Sequence, residues 1–404
     1  SDVYKRQRQP RLGWRIESDE QNVMQTAYHI LVASSADLLA QEKGDIWDSG
    51  KIESDASQWI AYQGKPLKRN ARYYWKVKVY TNRGEADWSA PAFWSMGLLN
   101  EADWQGQWIG LDRTTPGDSE TQWSRLAARY LRKEFALSKE VKRATVHIAG
   151  MGLYELFING QRIGDQVLAP APTDYRKTIL YNTYDVTPQL RKENAIGVTL
   201  GNGRFYTMRQ NYKPYKIPTF GYPKLRLNLI VEYMDGSKET IATNTSWKLT
   251  TEGAIRSNNE YDGEEYDARK ELGNWTQSGY DDKSWIAAQR VSIPSGTLRA
   301  QIMPGMKVMD TLKPVSIQKL GDKYILDFGQ NMAGWMRFRI KGQAGDSIRL
   351  RFAETLQANG ELYTRNLRDA RSTDTYIVSG REVKDTTWAP RFVYHGFRYV
   401  EVSN

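Results

Sequence analysis

Residues 153–163 read LYELFINGQRI. Tyr154, Leu156 and Ile158 alternate, which places three large side chains on one face of an extended strand, and Asn159-Gly160 supplies the two positive-φ residues of a type I′ hairpin turn. The same grammar extends outward from this stretch. Residues 225–231 lead to a second such turn at Asp235-Gly236, and Ile196, Val198 and Leu200 alternate between them. Near the start, Tyr28, Ile30 and Val32, then Tyr73, Trp75, Val77 and Val79, face one way while Lys76 and Lys78 face the other, the pattern of half-buried strands. Helix signals are scarce. The exception is a short helix over residues 35–42, with Ser34 or Ser35 as cap and Gly44 as terminator. The class is therefore all-β, organised as three tandem antiparallel β-sandwiches.

The composition removes several chemistries. The chain has 404 residues, 57 Lys+Arg against 47 Asp+Glu, three histidines and no cysteine. Thiolate nucleophiles, thiolate metal sites and redox switches are excluded, and a His-built zinc site has little to draw on. No run approaches the roughly 18–20 consecutive apolar residues of a spanning helix, so no membrane partner is expected. The formal charge of +10 comes from bases interleaved with acids, with no Lys/Arg run of the nucleic-acid kind. An acidic glycan fits such a surface better than a groove does.

Four segments follow. Residues 1–9 are set aside as a foreign or disordered start, because Asp2 to Gln7 read DVYKRQ, the in-frame translation of the transposon-end adapter GATGTGTATAAGAGACAG. Residues 10–99 resemble a fibronectin type III module in Tyr28-x-Ile30-x-Val32 and Tyr73-Tyr74-Trp75-Lys76-Val77, with Trp14, Trp47 and Trp75 filling the space between sheets. Residues 105–295 fit a jelly roll. Residues 300–404 form a third sandwich, and no period repeats along the chain.

Longer motifs sharpen this. Residues 153–160 (LYELFING), 263–269 (GEEYDAR), 327–334 (DFGQNMAG) and 394–400 (YHGFRYV) resemble, in order, the N-terminal half of bacterial α-L-rhamnosidases of glycoside hydrolase family 78. Ala353-Glu354-Thr355-Leu356, Asn366-Leu367-Arg368 and Thr373-Asp374-Thr375-Tyr376 follow that family's third module. The resemblance implies a fibronectin-like module, a jelly roll and a concanavalin-like sandwich ahead of a helical α/α barrel that hydrolyses terminal α-L-rhamnose with inversion. The family's Arg-Asp-Glu-Arg catalytic signature does not occur here, so no catalytic residue is expected in this chain. The expected partners are a rhamnose-containing glycan and a downstream barrel of the same parent, with a periplasmic or cell-surface parent. The rival reading is a free-standing carbohydrate-binding or adhesion module.

Two places could hold a ligand. The acidic cluster Glu260, Asp262, Glu264, Glu265 and Asp267 is a solvated turn, a structural bridge to Arg269, a calcium site built from Glu260, Asp262 and Glu264, or part of a catalytic acid pair. No cofactor is required; calcium is the one candidate. Residues 205–222 carry Phe205, Tyr206, Tyr212, Tyr215, Phe220 and Tyr222 among prolines, with Arg204 and Arg209 nearby. Rings stack on sugar C–H faces and cations serve hydroxyls, so this loop is either a saccharide platform or an interface anchor. Some members of the family resembled bind rhamnose through calcium on a related jelly roll; by position that implies Asn159, Asp174, Tyr175, Asn202 and Arg204. His29 and His147 are expected to be exposed and His395 to pack, with no Ser/His/Asp constellation legible.

Overall fold

A computed structural model describes residues 9–118, 125–207, 219–368, 370–383 and 386–404, with the backbone of residues 4–5. The chain divides into two compact units, residues 1–104 with 299–303, and residues 105–298 with 304–404.

The first unit is built on Gln25–Ala33, paired on one side with Trp47–Glu53 and on the other with Arg72–Thr81. Alternation does what the sequence requires: Tyr28, Ile30, Val32, Tyr73, Val77 and Val79 form the core with Trp94, Leu12 and Tyr62. Lys76 and Lys78 take the opposite face and lie over the Trp88 ring. The short helix spans Ala36–Ala40, its first turn closed by Leu38 N–H donating to Ser35 Oγ. One assignment changes. Tyr4–Lys5, placed in the start set aside above, forms a two-residue strand parallel to Ala92–Met96.

The second unit holds the jelly roll. One sheet runs Gln161–Arg162, Leu153–Ile158, Glu193–Gly201, Arg129–Ala136, Lys248–Thr250, Ile286–Ala287. The facing sheet is centred on Val141–Met151 and Lys224–Tyr233, flanked by Thr178–Asp185, Lys238–Ala242 and Ile109–Gly110. Leu131, Val146, Ile148, Leu156, Ile158, Ile196, Val198, Leu200, Leu227 and Trp247 fill the space between. Asn159 and Gly160 take φ of 51° and 83°, as the type I′ turn demands.

The boundary near residue 295 is not where the sheets divide. Ile255–Asn259 and Gly263–Asp267 leave the jelly roll and join Thr373–Ile377, Ser347–Ala353, His395–Ser403, Lys323–Gly334 and Ser316–Leu320 in a seven-stranded sheet. Gly263–Asp267 runs parallel to Thr373–Ile377, a departure from purely antiparallel sandwiches. The second and third modules also share a core. On Glu193–Gly201 the residues that alternate with the inward Ile196, Val198 and Leu200 include Gly197 and Gly201, and these glycines let bulky groups rest on the backbone. A Cβ at Gly197 would come within 2.6 Å of Thr276 and 2.8 Å of Trp275; one at Gly201 would overlap Phe392. Tyr130, Leu153, Trp275 and Trp285 from the jelly roll thus cluster with Phe352, Phe397 and Val400 of the third sheet and with Phe392 just before its last strand. Each such buried side chain contributes roughly 1.5–3 kcal/mol.

His147 also departs from its sequence reading. It is fully buried, its Nδ1 2.9 Å from Thr183 Oγ1, and burial pushes it down to about 3, so the ring is neutral. Period two correctly turns it away from Val146 and Ile148, but Gly106 crosses that face, donating its N–H to Asn228 Oδ1 and accepting from Arg226 Nε. His29 is half-buried, 2.6 Å from Asp48 Oδ1. Among the described residues no helix is long and apolar enough to cross a membrane.

Candidate functional site

Lys224 opens a central jelly-roll strand opposite Gly110, and the chain after Gly110 brings Asp112 beside it to form an ion pair. Gly110 fits the close approach here, since a Cβ would lie 3.0 Å from Pro223 O, a tight contact. The three residues preceding Pro223 turn back over this pair. Phe220, Gly221 and Tyr222, with Asp112, Lys224 and the segment Ser292-Ile293-Pro294, line a cleft of about 390 Å³. It offers two aromatic rings, a hydroxyl, a carboxylate and an ammonium, the mix that takes sugar C–H faces and hydroxyls together. Buried rings support this surface. Tyr206 stacks on Tyr222 with centroids 5.6 Å apart, the Arg129 guanidinium lies 5.7 Å from the same ring, and Phe220 packs against Tyr175 and Phe205.

The residues proposed from sequence separate into distinct places. Tyr175 and Tyr206 join the aromatic cluster, both buried as supports behind the cleft, and burial pushes the Tyr175 phenol up. Tyr212 and Tyr215 lie outside the described residues. Asn202 is buried with neither amide atom hydrogen-bonded among the described residues, while its backbone N–H donates to Asn258 Oδ1 at 2.6 Å. Arg204 pairs with Glu260 at 3.3 Å. Asn159 does not belong with them. Leu153–Ile158 separates it from Asn202, roughly 20 Å of strand. Its amide instead locks the hairpin, donating to Gln189 O and Asn194 Oδ1 and accepting from Ala195 N–H. Asp174 is held below the usual carboxylate range by Arg176, which donates to it across a surface turn.

The acidic cluster does not form the metal site offered for Glu260, Asp262 and Glu264. Among the described residues no group of three His, Asp or Glu side chains could hold an ion. Strand alternation and the Gly263 turn send the three apart: Glu260 to Arg204, Asp262 to the Arg371 N–H, and Glu264 inward to the N–H groups of Arg391 and Phe392 at 3.0–3.2 Å. Burial pushes Glu264 up to about 8. Glu265 pairs with Arg125 and Asp267 with Arg269, the structural bridge the spacing allowed.

Sequence reasoning missed one arrangement. Ser372 Oγ lies 3.3 Å from His395 Nδ1, and His395 Nε2 lies 3.0 Å from Asp374 Oδ1. The three are buried, His395 stacks on Phe352 at 4.1 Å, and Asp374 Oδ1 also accepts the Glu264 N–H. A hydrolytic triad needs an exposed nucleophile and donors aimed at an oxyanion. Here the chain of bonds ties Gly263–Asp267 to its neighbours, and it is structural. The motif YHGF carried the histidine; its partners come from the start of Thr373–Ile377, two strands away across Ser347–Ala353, which spacing does not reveal.

Three family models match in order: "Rha78A-like, N-terminal immunoglobulin domain" over residues 4–100, "Alpha-L-rhamnosidase N-terminal domain" over 139–310 and "Bacterial alpha-L-rhamnosidase concanavalin-like domain" over 318–404. An α-L-rhamnosidase of Formosa agariphila is 38% identical across 97% of this chain and 44% of its own length; one from Streptomyces avermitilis is 30% identical across 98% and 54%. The solved α-L-rhamnosidase of Dictyoglumus thermophilum superposes with a TM-score of 0.90 at 38% identity, covering 100% of this chain and 45% of that one. The Streptomyces avermitilis enzyme complexed with L-rhamnose also gives 0.90, at 28% identity. The chain spans about half the length of the curated relatives it matches.

Proposed function

We propose, for a chain that belongs by its N-terminal modules to the bacterial α-L-rhamnosidase family, a non-catalytic role within a longer enzyme: it supports the catalytic region and holds rhamnose-bearing glycan in the Phe220–Tyr222 cleft. The observation that carries this reading is the ordered run of three module matches over a chain that superposes whole on less than half of a solved relative. Its chemistry agrees. Inverting hydrolysis needs two opposed carboxyl groups about 6.5–9.5 Å apart with room for water between them. Among the described residues the one strongly raised carboxyl, Glu264, is walled in and spends both oxygens on backbone N–H groups. Among the described residues the cleft at Tyr222 has a single carboxylate, Asp112, already paired with Lys224. It can bind a sugar and lacks the second acid.

The test is turnover. The 404-residue chain releases no p-nitrophenol from p-nitrophenyl α-L-rhamnoside, whereas the parent enzyme does; sustained release by the chain alone overturns the reading.

A further inference from the structure

The seven-stranded sheet carries one apolar face from its centre to its edge, and the cover over that face stops short. Val400 lies opposite Leu326 on one side and Phe352 on the other; Val402 lies opposite Tyr324 and Leu350; Ile317, on the outermost strand Ser316–Leu320, lies opposite Leu326. Residues directly paired in a ladder share a face. All seven therefore belong to one apolar surface. Exposure climbs along it from 0% at Phe352 and Val400, through 6% at Leu326, to 45% at Tyr324 and 63% at Ile317. Val315, whose N–H bonds to Asp327 O beside the same edge, is 70% exposed. The jelly roll covers the inner part of this face and leaves the outer part bare.

A bare apolar edge strand invites pairing with other chains, and native proteins cover or charge such edges. Lys319, opposite Tyr324, is the only charge on this face of the outermost strand. The path of the backbone indicates what covers it. His395–Ser403 is the strand next to Lys323–Gly334, and Val402 pairs with Tyr324, so residues following Asn404 in a longer chain leave from the margin of the bare patch. The curated relatives have about as much chain again.

We propose that Val315, Ile317 and Tyr324 form the seat on which the catalytic region of the parent chain docks, through an apolar surface with an acid placed for Lys319. This rests on the reading that the chain is the N-terminal part of a longer enzyme. The contact completes the third sheet's core, and it makes the modules a brace that the catalytic region needs for its own thermal stability.

The experiment places Ile317→Lys with Tyr324→Lys in both the 404-residue chain and the full-length parent. In the short chain the pair leaves the melting temperature unchanged, because both side chains face solvent. In the parent it lowers the midpoint of thermal inactivation by about 5 °C or more and opens the chain around Asn404 to limited digestion by proteinase K, a protease that does not require the introduced lysines. A parent that hydrolyses the aryl rhamnoside and keeps its wild-type midpoint and digestion pattern with both lysines overturns the docking seat and leaves the functional reading intact. A parent with no rhamnosidase activity overturns the functional reading and the seat with it. Concentration-dependent dimers of the parent, abolished by the lysines, also overturn the proposal, since the edge then serves a second copy. A fall in melting temperature of the short chain equal to that in the parent does so too, because the two side chains then act within this chain.

Discussion

Glu264 sets a pH dependence that one substitution can isolate. Its ordinary value is 4.5 and burial pushes it up to about 8, so below about pH 4.5 it is protonated in both folded and unfolded chains. Between those values unfolding releases a proton, and stability falls as pH rises, by at most about 1.4 kcal/mol per pH unit, then levels off above about 8. Glu264→Gln removes the titration. Urea midpoints at pH 5, 6.5 and 8 therefore diverge, with the variant gaining on the wild type as pH rises; parallel curves would show that Glu264 titrates normally. Gly201 gives a steric counterpart. A methyl there overlaps Phe392, and overpacking costs about 1–3 kcal/mol. Gly201→Ala lowers the melting temperature, and Gly201→Ala with Phe392→Leu recovers part of the loss. At the cleft, Tyr222→Ala weakens binding of a rhamnosyl oligosaccharide about fivefold by calorimetry, a ring contact of about 1 kcal/mol. Wild-type and variant heats that coincide would move any sugar site elsewhere.

Among the elements, the decisive one is Gly263–Asp267. Its sequence, GEEYD, shows alternation and a turn glycine, and these were legible: Glu264 and Tyr266 on one face, Glu265 and Asp267 on the other. Which sheet it joins was not legible, because period two specifies a face and never a partner. The same limit explains Ser372, Asp374 and His395, which meet only across the intervening strand Ser347–Ala353, and it explains His147, whose phase was read correctly but whose cover, Gly106, lies about 40 residues away in the chain. Local turns carry their own chemistry, so the Asn159-Gly160 hairpin was read in full, although Asn159 proved to lock its turn and not to face a ligand. The aromatic stretch was legible as a cluster. How many of its rings packing would consume was not, and among the described residues of the stretch Phe220 and Tyr222 reach the cleft. Because the strand belongs to the third sheet, residues 105–298 expressed alone leave Tyr130, Leu153 and Trp275 uncovered. That fragment binds a hydrophobic dye such as ANS strongly, where residues 105–404 do not; equal, weak dye binding would mean the jelly roll closes by itself.

Over the whole molecule, three bodies were expected and two compact units are found. The all-β class and the order of modules follow from alternation and turn spacing along the chain, and the family matches agree with both. The merger of the last two bodies does not follow from either, since it depends on Trp275 resting on Gly197 and Phe392 on Gly201 of one jelly-roll strand, within a single core cluster. Calorimetry of the 404-residue chain accordingly shows residues 105–298 and 304–404 melting in one transition; separate endotherms for them would contradict a shared core. The two donated strands also constrain how genes that encode these modules can be rearranged. A recombination breakpoint in the loop around Pro294 would orphan two strands on one side of the junction and leave a vacancy in a sheet on the other, so gene fusions and exchanges that yield folded products must inherit both bodies as one cassette.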